Sequence, residues 1–85
     1  PGVVEAGSIC REMVSNVDFA QTFLDFAGLP QPRYMQGRSI RPLLEGHTPG
    51  DWPTLAYHRY WMNNDDIHNA CAHYGIRTKD FKLIY

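Results

Sequence analysis

The most constraining feature of the sequence is a capped apolar repeat between residues 15 and 28. Ser15 and Asp18 have the spacing of a capping box, which satisfies the first backbone N–H groups of a helix. Gly28 supplies the left-handed residue at which helices commonly stop, and two prolines follow it closely. We therefore predict a helix from Asn16 to Ala27. Five apolar side chains recur at helical spacing and predict one stripe that packs on another surface: Val17, Ala20, Phe23, Leu24 and Ala27.

The segments around this helix are less regular. Residues 9–14 have the composition of either a short strand or an extended lead-in. Residues 28–38 contain two prolines and two glycines, which predicts an irregular connection. After it, Ser39 can cap a short helix over residues 40–45, because Pro42 is tolerated only in a first helical turn.

Aromatic residues are most frequent after residue 52, and this asymmetry divides the chain. We predict a strand over Thr54–Trp61 and two more over Tyr74–Thr78 and Phe81–Tyr85, the last two joined as a hairpin. Four turn-forming residues, beginning at Asn63, end the first strand. Alternation along that strand predicts two faces, one with Leu55, Tyr57, Arg59 and Trp61 and the other with Ala56, His58 and Tyr60.

Composition narrows the class of protein. The share of hydrophobic residues is 44% and that of charged residues 20%, so the chain has the usage of a folded domain rather than a disordered one. At 85 residues it would be only marginally stable alone. The net charge is -1 and basic residues form no cluster, so neither nucleic acid nor a membrane is an expected partner. Cys10 and Cys71 stand outside any paired motif and are interpreted as two buried free thiols, with a disulfide between them as the alternative.

No chemistry is evident from the residues alone. The one cluster of metal-ligand types matches no zinc spacing, and its adjacent aspartates lack the alternating oxygens and central glycine of a calcium loop. Serines lack the context of an activated nucleophile, and no cysteine has a neighbouring base. The histidines therefore favour surface, hydrogen-bonding or pocket-wall roles. The cluster comprises His58, Asp65, Asp66, His68, Cys71 and His73.

Three segments, in order and spacing, resemble the C-terminal portion of the arylsulfatase-like family of the alkaline phosphatase superfamily. They are VSNVDFAQTFLDFAG at residues 14–28, MQGRSIRPLLEG at 35–46 and the closing YGIRTKDFKLIY at 74–85. The turn at Pro1-Gly2 is also similar to that family. Gln21 departs from it, since relatives often carry proline there, but glutamine is compatible with a helix.

The resemblance implies an α+β fold: a C-terminal sulfatase subdomain with one main helix, a short helix and a small antiparallel sheet. Residues 1–85 are then the C-terminal part of a sulfatase domain, truncated at the N-terminus and at the C-terminus. The parent enzyme is expected to use calcium and a formylglycine made in a C/S-x-P-x-R motif. Neither Cys10 nor Cys71 lies in that motif, so no catalytic residue and no metal ligand is expected here, and the chain alone should be inactive.

The resemblance also implies where substrate would be met. The loop from Trp61 to His73 is expected to help wall the substrate pocket, with its amide, carboxylate and imidazole groups facing sugar hydroxyls. The alternative for each residue is a structural role. The predicted substrate contacts are His68, His73, Asn63, Asp65 and Arg77.

Expected partners follow from the same resemblance. They are the missing N-terminal sulfatase core and a sulfated carbohydrate, with self-association through apolar surface that the core would otherwise cover. The compartment stays open; the resemblance is compatible with a periplasmic, extracellular or lysosome-like one. Two other functions stay open: a fragment of a related phosphonate or phosphodiester hydrolase, and a stand-alone interaction module.

Overall fold

A computed structural model describes residues 2–64, 66–67 and 69–85 and divides the chain into two compact units, residues 1–52 and 53–85. The boundary coincides with the change in aromatic content. The predicted α+β class, with one main helix, a short helix and a small antiparallel sheet, is confirmed. No helix in the described ranges is long and apolar enough to cross a bilayer. The elements are a 3₁₀ turn at Asn16–Asp18, α1 at Phe19–Phe26, α2 at Arg41–Leu44, β1 at Ala56–Tyr60, β2 at His73–Arg77 and β3 at Lys82–Ile84.

The main helix begins and ends at the predicted signals. The backbone N–H of Ser15 donates to Oδ2 of Asp18 at 2.8 Å, and the capping box is complete. At the other end Gly28 has a φ of 70°. The backbone N–H of Leu29 closes the end of the helix by donating to the carbonyl of Leu24 at 2.9 Å. The helical run ends at Phe26, one residue before the predicted limit.

The face of α1 that is buried within this chain is polar, whereas the predicted apolar stripe stays largely exposed. Gln21 and Thr22 are the buried residues of the helix, whereas Val17 is 54% exposed and Phe23 is 72% exposed. This polar face can be buried because the hydroxyl of Thr22 both donates and accepts a hydrogen bond. Thr22 Oγ1 donates to the carbonyl of Asp18 at 2.7 Å and accepts the N–H of Ile40 at 2.9 Å.

Two carboxylates on the same face complete the docking of residues 38–41. Asp18 Oδ1 accepts the backbone N–H of Arg38 at 2.9 Å. Asp25 Oδ2 accepts the hydroxyl of Ser39 at 2.6 Å, and its Oδ1 accepts from Nη1 of Arg41 at 3.2 Å. Positions 18, 22 and 25 lie one above another on a helix, so their side chains form a polar ladder that binds residues 38–41.

The apolar core of the N-terminal unit is small. Ile40, Leu43 and Trp52 are buried together, and Leu44 packs against them. The indole Nε1–H of Trp52 donates to the carbonyl of Met13 at 2.9 Å, which ties the lead-in to the core. A core of this size covers little of the unit's apolar surface.

Three other expectations concern this unit and the cysteines. The short helix is present at Arg41–Leu44, but its N-cap is Ile40 and not Ser39 as predicted; Ser39, one residue earlier, still accepts the N–H of Arg41 with its Oγ at 3.2 Å. Residues 9–14 form no strand and are the extended alternative. The prediction that both thiols are buried is wrong, because Cys10 and Cys71 are free but exposed. Both lie in irregular segments rather than on a packed face.

The C-terminal unit is an antiparallel sheet in the order β1-β2-β3. Its central strand places Tyr60 opposite His73 and Ala56 opposite Arg77. Gly75 is buried in the middle of β2, where a Cβ would overlap the carbonyl oxygen of Leu83. All three predicted strands are present, with some ends shifted by one or two residues.

We expect the polar ladder on α1 to contribute less to the free energy of unfolding in acid. The hydrogen bond from Ser39, and then the nearby Arg41 guanidinium, hold the pKa of Asp25 below its ordinary value, although partial desolvation opposes them. A lowered pKa means that the contribution is complete above the unfolded value of about 3.9 and is lost as pH falls through the folded value. Asp25→Asn should therefore lower the Tm of the full-length protein near pH 7, with the difference from wild type shrinking below about pH 4.

Thermal unfolding at several pH values tests this prediction. Glu5→Gln is the matched control, since Ser8 donates both its backbone N–H and its hydroxyl to the backbone carbonyl of Glu5 and not to the carboxylate. A Tm difference for Asp25→Asn that is the same at pH 7 and in acid would contradict the assigned role of the charge.

Candidate functional site

The sheet brings two histidines and a tyrosine onto one face at its open end. His58 and Tyr60 are two residues apart on β1, so their side chains lie on the same face of the sheet. The strand register places Tyr60 directly opposite His73. The His73 ring lies 5.2 Å from that of His58 and 5.4 Å from that of Tyr60, centroid to centroid, and is stacked on the latter. We call these three residues the imidazole cluster. His73 is half-buried, so its orientation is restrained while one side remains accessible.

The His73 ring is also fixed by the chain before it. Its Nδ1 lies 2.7 Å from the backbone carbonyl oxygen of Cys71. That distance is typical of a strong hydrogen bond. The ring is therefore held by a local contact in addition to the stack on Tyr60.

The loop between β1 and β2 is closed by three contacts near its base. The N–H of Asn64 donates to the carbonyl of Ala70 at 2.8 Å, and the thiol of Cys71 lies 3.7 Å from Asn64 Oδ1. Asn63 Oδ1 accepts the N–H of Ala72 at 3.4 Å. Asn64 has a φ of 51°, and asparagine tolerates this left-handed conformation better than most residues. These contacts place the residues before His73.

The predicted substrate contacts have different positions. His73 lies in the imidazole cluster, and Asn63 lies at the base of the loop with its oxygen engaged by Ala72. Arg77 shares the face of His73 but lies four residues along β2, about 13 Å away. The structure therefore does not bring Arg77 to the cluster. The predictions for Asp65 and His68 lie outside the described residues.

Sequence reasoning missed His58 and Tyr60 as neighbours of His73. The alternation along β1 predicted that these two residues share a face, and the register confirms it. The register between β1 and β2 could not be predicted, because the ten or so residues between the strands allow several registers. Without a register, the residue opposite His73 could not be named.

The same strand ends line an aromatic groove of about 330 Å³, whose lining includes Tyr60 and His73 of the imidazole cluster. The Arg59 guanidinium lies 3.7 Å from the centroid of the Trp61 ring, a cation–π contact, and the Tyr74 and Tyr85 rings are 5.4 Å apart. No strand residue forms an ion pair with another described residue. Arg59 thus leaves a positive charge beside exposed aromatic rings.

A resident metal does not fit this part of the molecule. Within residues 2–64, 66–67 and 69–85, no three His, Cys, Asp or Glu side chains converge as metal ligands would. The calcium and the formylglycine of the parent enzyme stay predictions. The imidazole cluster offers hydrogen bonding and stacking only.

Comparison with known proteins identifies the family. The sequence profile of the family described as N-sulphoglucosamine sulphohydrolase, C-terminal, matches residues 1–85. The chain belongs to this sulfatase family. It is 49% identical to the N-acetylglucosamine-6-O-sulfatase of Bacteroides thetaiotaomicron over 100% of this chain and 15% of that relative. The resemblance drawn from the helix, the QGRS segment and the hairpin is confirmed.

Solved structures agree with the sulfatase family. A protein solved in complex with its substrate D-glucosamine-2-N,6-O-disulfate superposes with a TM-score of 0.88 and 48% identity, covering 98% of this chain and 17% of that one. The phosphonate monoester hydrolase of Silicibacter pomeroyi gives a TM-score of 0.64 and 26% identity, covering 80% of this chain and 16% of its own. The chain thus spans about a sixth of the length of these relatives.

Proposed function

We propose that this chain is the C-terminal segment of a sulfatase that hydrolyses a sulfate ester on a carbohydrate, with 6-O-sulfated N-acetylglucosamine as the substrate class. The observation that carries the proposal is the 49% identity, over the whole chain, to an N-acetylglucosamine-6-O-sulfatase. The high structural similarity to a protein solved with a sulfated glucosamine supports the same substrate class.

The first role of the segment is to pack on the rest of the enzyme. Both units expose large apolar side chains in amounts that isolated soluble domains rarely show as contiguous surface. On the helix this surface is the predicted stripe, and on the sheet it is the face that carries Tyr57. The missing sulfatase core is the partner that fits, and the isolated chain would self-associate through the same surface. Its members include Val17, Phe23, Phe26, Tyr57, Trp61, Ile76 and Leu83.

The second role is to form part of the wall of the substrate pocket. His73 is held by its neighbours with one side accessible, which is the arrangement of a side chain that orients a ligand. The nucleophile is assigned to the rest of the enzyme, since neither Cys10 nor Cys71 lies in a C/S-x-P-x-R motif and the hydroxyl of Ser39 is used in joining its segment to α1. Sulfate cleavage, with the calcium and the formylglycine, belongs to residues outside this chain. The segment then influences substrate binding more than the chemical step.

A phosphonate monoester hydrolase is the second candidate, because two such enzymes share the fold at 25% and 26% identity. Both the lower identity and the coverage of 80% of this chain rank it below the sulfatase. A stand-alone interaction module is not favoured by any contact in the structure.

Substrate hydrolysis by the full-length protein tests the proposal. We expect release of inorganic sulfate from N-acetylglucosamine-6-sulfate, with kcat/KM at least a hundredfold above that for a phenyl phosphonate monoester. This ratio corresponds to about 2.7 kcal/mol of differential transition-state binding. Ion chromatography of released sulfate and phosphonate under identical conditions gives the measurement.

The control is the 85-residue chain itself, which should release neither product because it has no activated nucleophile. Preference of the full-length protein for the phosphonate ester would replace the sulfatase proposal by the second candidate. Reproducible turnover by the pure 85-residue chain would contradict the assignment of the chemistry to residues outside it.

A further inference from the structure

We propose that Asn63 and Asn64 are positioning residues, which hold His73 with its proton on Nδ1 so that Nε2 accepts a hydrogen bond from a hydroxyl of the substrate. This inference rests on the proposed function, because it supposes that His73 meets the substrate. It adds which atom of the ring makes the contact and what fixes that choice.

The first step concerns the proton on the ring. A backbone carbonyl oxygen can only accept a hydrogen bond, and the carbonyl of Cys71 lies 2.7 Å from Nδ1 of His73. Nδ1 is therefore the protonated nitrogen of the neutral ring. The lone pair is left on Nε2, since the hydrogen bond made by one ring nitrogen sets the role of the other.

The second step concerns what holds the carbonyl of Cys71 in place. The residues on either side of it are bound to the opposite limb of the loop: Ala70 accepts the N–H of Asn64, and Ala72 donates to Oδ1 of Asn63. The Cys71 thiol adds a weak contact with Asn64 Oδ1. The peptide that carries the carbonyl is thus held from both sides within three residues.

The third step concerns the ligand. A neutral ring with its lone pair on Nε2 accepts from a hydroxyl, whereas a sulfate oxygen is itself an acceptor and gains nothing from that lone pair. His58 and Tyr60 pack against the ring and restrict its rotation. The geometry selects a sugar hydroxyl as the group that His73 recognises.

The test uses the full-length protein labelled with ¹³C-histidine, in which the His73 signal is the one lost in His73→Gln. At a pH where the ring is neutral, its Cδ2 shift should report the Nδ1–H tautomer in wild type. Asn63→Ala should move the signal towards the Nε2–H tautomer and raise KM for N-acetylglucosamine-6-sulfate threefold to tenfold, with kcat within twofold. Asn63→Asp keeps an acceptor oxygen for Ala72 and should restore both readouts.

Separate readouts decide the two parts of the argument. A wild-type Nε2–H tautomer, or a tautomer unaltered in Asn63→Ala, overturns the positioning role whatever the kinetics. A tautomer that shifts while KM stays the same in Asn63→Ala and His73→Gln overturns the substrate contact instead. A purely structural asparagine would lower Tm without altering the tautomer, which also counts against the proposal.

Discussion

Replacing His73 with alanine in the full-length protein should raise KM for N-acetylglucosamine-6-sulfate about tenfold while kcat changes by less than threefold. The substitution would remove the proposed hydrogen bond to a substrate hydroxyl, which is worth about 1.4 kcal/mol, a factor of ten in affinity. The loss should fall mainly on KM, since a contact to a hydroxyl that does not react is made equally in the ground state and the transition state. Steady-state kinetics with sulfate detection give both constants.

His47→Ala is the matched control, because it removes another imidazole, exposed in the other unit of the chain. It should leave KM and kcat within twofold of wild type. If KM and kcat of the His73→Ala protein were also unchanged, His73 would be a structural residue of the sheet and the pocket-wall role would be wrong.

The helix shows what could be predicted from local sequence. The capping box at Ser15 and the left-handed Gly28 act through backbone groups within a few residues, so they fixed both ends to within one residue. The same spacing also predicted correctly that Val17 and Phe23 form an apolar stripe. It could not tell what covers that stripe.

The direction in which α1 packs was missed because two competing faces were present. The apolar stripe would gain more from burial, but the face with Asp18, Thr22 and Asp25 meets a segment that follows in the chain and satisfies its backbone donors. A buried donor without a partner costs free energy, so the segment packs on the nearby polar ladder, which pairs its donors, in preference to the apolar stripe. The stripe then remains for a surface that this chain does not contain.

The candidate site was only partly predictable for a similar reason. His73 was named from its place beside a segment that resembles sulfatases, but it was assigned to the loop, because the predicted strand began one residue later, at Tyr74. Its neighbours His58 and Tyr60 depend on the register between two strands, and its tautomer depends on a loop whose closure uses Asn63 and Asn64. Pairing and loop closure are non-local, so alternation within one strand carries no information about them.

Gly37→Ala should be the most destabilising single-methyl change in the N-terminal unit. A Cβ at this position would overlap the carbonyl oxygen of Val17 and would lie 2.8 Å from Nε2 of Gln21. Because the overlap is with helix backbone, no change of rotamer relieves it. Movement of Gly37 would instead stretch the neighbouring hydrogen bond from Arg38 to Asp18. Overpacking of this kind costs about 1–3 kcal/mol, and thermal unfolding of the full-length protein should show a Tm lower by several degrees.

Gly50→Ala separates this overlap from the general effect of removing a glycine. Its Cβ would meet no atom within 4 Å, and its backbone lies outside the left-handed region. The change should be neutral or raise Tm slightly, because alanine reduces the conformational freedom of the unfolded chain. Equal Tm values for Gly37→Ala and Gly50→Ala would mean that residues 37–41 are not pressed against α1. The polar ladder would then not be what holds the two segments together.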